Sequence, residues 1–305
     1  MSPCSANFLR PRRSIFPHTI QPNALEANCS SIQLSAVSPF ERWRRWHEVV
    51  GFLDRGEVDA IPAVAIITNE HREAADAPNA QFQIISARRP TNMAPQYQDD
   101  SITIHKIKCG PYDNNAYLLV CPETNQSILI DTPQDPGALI EAAKQTDVQA
   151  ILITHNHGDH LAGFSEVTSA IGASVGIGDA DAHALPSPPA MLLKEGDEIK
   201  AGTLTLKAIA TPGHTPGSTC FSIGNHLFSG DTLFPNGPGK TGSPEKLAEI
   251  IDSITSSLFT LDEDTNIFPG HGDDGILKEE KGKYDVFASK EHPADLAGDV
   301  EWLKS

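Results

Sequence analysis

The chain has 305 residues, 39% of them hydrophobic, and a formal net charge of −17 at pH 7. The charge is uneven: residues 1–92 hold ten arginines, no lysine and nine acidic residues, a net of +1, whereas residues 93–305 hold thirteen lysines, no arginine and 31 acidic residues, a net of −18. So acidic a segment repels a phosphate backbone, which argues against a nuclease or other nucleic-acid partner, and no apolar run reaches the roughly 18 residues of a membrane helix.

Up to Phe40 the chain is studded with proline and serine, and its first 25 residues carry Arg10, Arg12 and Arg13 but no acid, a composition that fits an organelle transit peptide. An amphipathic helix with Trp43, Trp46, Val49, Val50 and Leu53 on one side follows. The Trp43-Arg44-Arg45-Trp46 run reads better as a helix face than as a nucleic-acid contact. The apolar stretch of residues 60–67 is short and broken by Pro62. Residues 1–92 are therefore expected to be an extension without a packed core. It is a transit segment, a disordered regulatory arm, or a stretch ahead of a true start at Met93, and the compositional break favours the last.

Residues 93–305 are of a size to bury their own core as one domain. Strands are expected at Ser101–Lys108, Ala116–Cys121 and Ser127–Asp131, then a helix at Asp135–Gln145. Ala150–Thr154 is an apolar, β-branched run of the kind found in buried parallel strands, and Ala162–Ile171 reads as a helix. Leu204–Ile209 alternates as a strand, Cys220–Ile223 turns through Gly224-Asn225 into a hairpin that ends at Phe228-Ser229-Gly230, and Asn266–Phe268 is a last short strand. Pro244–Leu258 and Ile276–Phe287 are the remaining helices. The fold class is α/β. Five cysteines, odd in number and without CxxC spacing, do not make a disulfide framework. They point to a reducing, cytoplasmic setting, or to an organelle if the leader is a transit peptide. Cys220, on its strand, is expected in the core.

The chemistry is concentrated at strand ends. His155, His157, Asp159 and His160 crowd into six residues directly after Ala150–Thr154, and His214, Asp231 and His271 each follow a strand beside glycine or proline. Such side chains are seldom buried without partners, and open α/β sheets place ligands at the carboxyl ends of their strands. His155 and His157, two apart in an extended turn, can face one point while Asp159 and His160 face another, so one turn can serve two cations. His18, His47, His71, His105, His183, His226 and His292 lack this framing and read as surface or satisfied residues.

In this pattern the chain resembles the metallo-β-lactamase superfamily and, within it, the hydroxyacylglutathione hydrolase (glyoxalase II-like) branch. The resemblance implies an αββα sandwich. His155, His157 and His214 would hold one metal, Asp159, His160 and His271 a second, and Asp231 would bridge them. Two divalent ions are implied, zinc by default with iron or manganese as alternatives. A hydroxide shared by them would attack a small-molecule thioester or ester, with Asp159 orienting it. Gly239-Lys240 resembles the family's anion-holding lysine, but the aromatic residue that should follow is replaced by Thr241-Gly242, and only 34 residues follow His271. A one-iron persulfide dioxygenase, mapping to His155, His214 and Asp231, is the second reading, although its Arg-Thr-Asp stretch is absent here. A metal-binding module without activity is the third. Lactam hydrolysis is disfavoured because the commonest zinc lactamases carry cysteine where Asp231 stands.

Overall fold

The structure is a computed structural model that describes residues 94–305 and, ahead of them, only an antiparallel pairing of Ser30–Ser31 with Gln83–Ile84. The expected transit segment, the Trp43–Leu53 helix, and His18, His47 and His71 lie outside the described residues. The chain divides into two units, Met1–Arg89 and Pro90–Ser305, and the second holds all that follows.

Seven strands form the first sheet in chain order: β1 (Tyr97–Gln98), β2 (Thr103–Cys109), β3 (Asn114–Val120), β4 (Gln126–Ile130), β5 (Asp147–Ile153), β6 (Ser174–Gly178) and β7 (Met191–Leu193). Pairing is antiparallel up to β4 and parallel from β4 to β7. The parallel part needs crossovers, which are supplied by α1 (Gly137–Ala143) before β5 and by α2 (Gly158–Leu161) and α3 (Phe164–Ile171) before β6. The second sheet runs in the order β8 (Glu198–Ala201), β9 (Leu204–Ala210), β10 (Thr219–Ile223), β11 (His226–Gly230), β14 (Asn266–Pro269) and β15 (Gly275–Ile276). A small hairpin of β12 (Leu233–Phe234) and β13 (Gly237–Pro238) leaves β11, and α4 (Pro244–Ser256) and α5 (Leu277–Ala288) complete the fold.

Period-two alternation divides each strand between two cores. Tyr117 and Leu119 of β3 join Ile128, Ile130, Leu152, Leu206, Phe221, Phe228 and Phe268 in the cluster between the sheets. Ala116, Leu118 and Val120 face the other way, onto Leu139 and Ile140 of α1 and Phe164 and Val167 of α3. On the far side Ile209, Cys220, Leu227 and Ile267 pack under Leu247, Ile250 and Ile254 of α4, with Leu277, Phe287 and the fully buried Trp302. Four layers result, helix, sheet, sheet, helix, as the resemblance implied, and Cys220 lies in the core as expected.

The helix expected at Ala162–Ile171 begins earlier and breaks. One turn already forms at Gly158–Leu161, so Asp159 and His160 sit on a helix rather than a turn. The chain then pauses at Gly163, whose N–H bonds the Thr132 carbonyl while the Thr132 N–H bonds that of His160. Between Gly172 and Ala201 no strand was read from the sequence. The structure has β6, β7 and β8 there, each three to five residues long.

Candidate metal centre

Strand direction assembles the site. Because β4 and β5 are parallel, as are β11 and β14, the chain leaves all four at one edge. There β4 delivers Asp131, β5 delivers His155, β11 delivers Asp231 and β14 delivers His271. Antiparallel β3 starts at that edge with Asn114, and the loop after β9 adds His214. Gly270 is needed there: a Cβ on it would strike the Asp231 carboxylate and the His160 ring.

All seven residues singled out in the sequence converge. His155, His157 and His214 place one ligand atom each within 4.8 Å of one another, as do Asp159, His160 and His271, and His155, His160 and Asp231 form a third such set between them. Ring centroids of His157 and His214 are 4.5 Å apart and those of His155 and His160 4.2 Å. His271 Nε2 lies 3.1 Å from Asp159 Oδ2 and 3.5 Å from Asp231 Oδ2, and His214 Nε2 lies 3.6 Å from Asp231 Oδ2.

Three of the histidines have their proton fixed by a neighbour that can only accept, and a fourth by a hydroxyl that is itself already donating. The Nδ1–H of His214 donates to the Lys240 carbonyl at 2.8 Å, that of His271 to the Tyr112 carbonyl at 2.8 Å, and that of His160 to Asp131 Oδ2 at 2.9 Å. His155 is fixed at one remove. Thr154 Oγ1 donates to Asp131 Oδ2 at 2.8 Å, so its oxygen is left to accept from His155 Nδ1 at 3.0 Å. Each ring thus turns its Nε2 lone pair inward, the arrangement in which outer partners orient metal-ligating imidazoles. His155 Nε2, His214 Nε2 and Asp231 Oδ1 are buried and make no hydrogen bond, and His160 Nε2 faces His271 Nε2 at only 3.1 Å. Inward lone pairs beside two carboxylates call for positive charge between them, so the donor set fits two divalent cations.

The electrostatics agree. Burial pushes His155 well below the ordinary histidine range, with His160 adding to the effect, and burial likewise lowers His214. For Asp231 burial favours the neutral acid, but the nearby positive charge of His160, 3.4 Å away, with His155 and His271, outweighs it and its pKa is lowered. Burial also works against a charged His160, yet Asp131 and then Asp231 prevail and raise its pKa well above the usual value, so its Nε2 lone pair becomes free only when a cation displaces the proton there. In Asp159 burial is opposed by the Asn114 amide, which donates to Oδ2 at 2.9 Å, and by His160, so this pKa is lowered.

Three residues hydrogen-bonded to the ligands or the loops that carry them were not singled out in the sequence: Asp131, Asn114 and Asp181. Asp131 had a signal, since it follows the apolar run Ile128-Leu129-Ile130 just as His155 follows its own strand. Asn114 and Asp181 had none, because their partners are distant in sequence. Lys240 lies on the loop after the hairpin, its ammonium exposed and 3.4 Å from Asp299 while its carbonyl holds His214. Of the histidines set aside, His183 and His292 bond backbone carbonyls. His226 is buried against Tyr97 and Phe268, and His105 is buried with Nδ1 unpartnered.

An αββα sandwich with a cluster of histidine and aspartate donors at one sheet edge defines a class of metalloprotein. The sequence profile of the metallo-beta-lactamase superfamily matches residues 109–271, more than half of the chain, and the chain belongs to that superfamily. It is 35% identical over 163 residues to a hydroxyacylglutathione hydrolase of Cereibacter sphaeroides, over 52% of this chain and 62% of that protein. A probable hydroxyacylglutathione hydrolase of Schizosaccharomyces pombe is 32% identical over 205 residues, 64% of this chain and 75% of the relative. Relatives of the first kind are thus spanned over less than two thirds of their length. Among solved structures, ETHE1 from Myxococcus xanthus matches with a TM-score of 0.52 at 28% identity, over 58% of this chain and 81% of that one.

Proposed function

We propose that this protein is a metal-dependent hydrolase of the glyoxalase II kind, cleaving a small-molecule thioester or ester at a centre of two divalent cations. The observation that carries the reading is the convergence of all seven donors, four of whose imidazoles are oriented by outer hydrogen-bond partners. His155, His157 and His214 would hold one ion, Asp159, His160 and His271 the other, and Asp231, whose Oδ1 lies near His160 and whose Oδ2 lies near both His214 and His271, would serve both. When bound, such ions acidify a water to supply the nucleophile and lend positive charge to the oxygen of the attacked carbonyl. The chain's residues do the rest. Asp159, partly exposed and with its pKa lowered, accepts from Asn114 and can take a proton from a water at the mouth of the site. Lys240, whose carbonyl holds His214, carries an exposed ammonium that can attract an anionic end of the substrate.

A one-iron persulfide dioxygenase built on His155, His214 and Asp231 is the second reading, for which the ETHE1 likeness argues. It leaves His157, Asp159, His160 and His271 without a task, though the structure orients three of these four by hydrogen bonds to neighbouring groups. The test is an assay of the full-length, metal-loaded protein on S-lactoylglutathione and, separately, on glutathione persulfide with an oxygen electrode. Thioester hydrolysis without oxygen uptake is expected. Oxygen uptake without hydrolysis overturns the proposal in favour of the second reading.

A further inference from the structure

We propose that Asp181 is a positioning residue that sets the geometry of the His155, His157 and His214 half of the centre and thereby its affinity for a cation; this rests on reading the centre as a metal site. Asp181 lies in a short 3-10 helix, Asp179–Ala184, outside every ligand-bearing segment, and is fully buried. Its Oδ2 accepts the Asn156 N–H at 3.1 Å and the Thr215 hydroxyl at 2.5 Å, and its Oδ1 accepts the Gly217 N–H at 2.9 Å. Asn156 stands between His155 and His157, and Thr215 follows His214. One carboxylate therefore ties together the two loops that supply these three imidazoles.

The brace is built closely. A Cβ at Gly217 would come within 2.6 Å of the Asp181 carboxyl carbon, so only glycine lets the second loop lie flat against it. Thr215 Oγ1 meets Ser218 Oγ at 2.7 Å, which fixes the hydroxyl that Asp181 receives. The other half of the centre is held by different groups: Asp131 for His160, Asn114 for Asp159 and the Tyr112 carbonyl for His271. Asp131 also reaches His155 through Thr154, but Asp181 bonds only the loops of His155, His157 and His214, so its loss is felt on that side. A carboxylate whose partners are all donors is also poorly replaced by an amide, because the NH2 of asparagine would face an N–H or the Thr215 hydroxyl.

Zinc affinity of the full-length protein, measured by competition with a chromophoric chelator, tests this. Wild type should hold two ions; if it holds none, the reading of the centre fails, whatever Asp181 does. In an H271A background, where the His155, His157 and His214 set is intact, D181N is expected to weaken zinc binding about 10–100-fold, the usual effect of removing an outer partner. In an H214A background the same substitution should change the remaining affinity by no more than about twofold, on the same reasoning. Cobalt(II) absorption of the loaded H271A protein should change with D181N, since the three imidazoles are displaced. Should D181N fail to fold, T215V removes one of the three donors without changing volume and should weaken the same site in the same background. Equal losses in both backgrounds, or no loss in H271A, would overturn the positioning role.

Discussion

Asp131 is where stability and metal binding are most tightly joined, and its replacement by alanine has a calculable result. Its carboxylate is buried and accepts from the Thr154 N–H, the Thr154 hydroxyl and His160 Nδ1. In Asp131→Ala the hydroxyl can swing to His155 Nδ1 instead, which leaves two buried N–H groups without an acceptor. At roughly 1–3 kcal/mol each, the expected loss is about 2–6 kcal/mol. Around the middle of that range a domain of this size should melt about 8–16 °C lower. Metal affinity should also fall, by more than the ~10–100-fold of a single outer partner, because the turned hydroxyl drives the His155 proton onto the nitrogen that faces the centre. Thermal unfolding of the metal-free protein measures the first effect and chelator competition the second. A metal-free melting temperature within about 2 °C of wild type, or unchanged metal affinity, would refute this account of how the imidazoles are oriented.

Other expectations follow from the same geometry. Asp231→Ala should lose both ions together, leaving less than one equivalent after desalting and an activity lowered by more than about 100-fold; retention of two equivalents with near-normal turnover would contradict the bridging role. Gly270→Ala should fold, since Gly270 lies just past the end of β14, but lose metal because the new methyl strikes Asp231 and His160; circular dichroism beside elemental analysis separates the two effects. In Lys240→Ala the carbonyl that holds His214 is kept, so KM should rise several-fold while kcat stays within about twofold. A fall in kcat alone would assign Lys240 to another role.

The sequence was most legible where chemistry and local geometry coincide. Asp159 and His160 are four and five residues beyond His155, so chain proximity alone brings them together, and glycine or proline beside His214, Asp231 and His271 marked the turns that aim them. The parallel strand before His155 could be read because it is buried on both faces and so uniformly apolar. By contrast β6, Ser174-Val175-Gly176-Ile177-Gly178, carries two glycines and only two branched apolar residues, and its strand character comes from its neighbours rather than its own propensity. Asn114 and Asp181 were invisible for a related reason. A side chain that acts on a loop 25 to 45 residues away leaves no spacing signal, and a lone buried acid in Gly178-Asp179-Ala180-Asp181 looks like any turn.

The central claim, a centre of two divalent cations, is tested most directly by elemental analysis of the purified full-length protein reloaded with zinc and freed of excess. Two equivalents per chain, falling below one in Asp231→Ala, are expected. A single equivalent in the unaltered protein, unchanged when Asp159, His160 or His271 is replaced, would contradict the account.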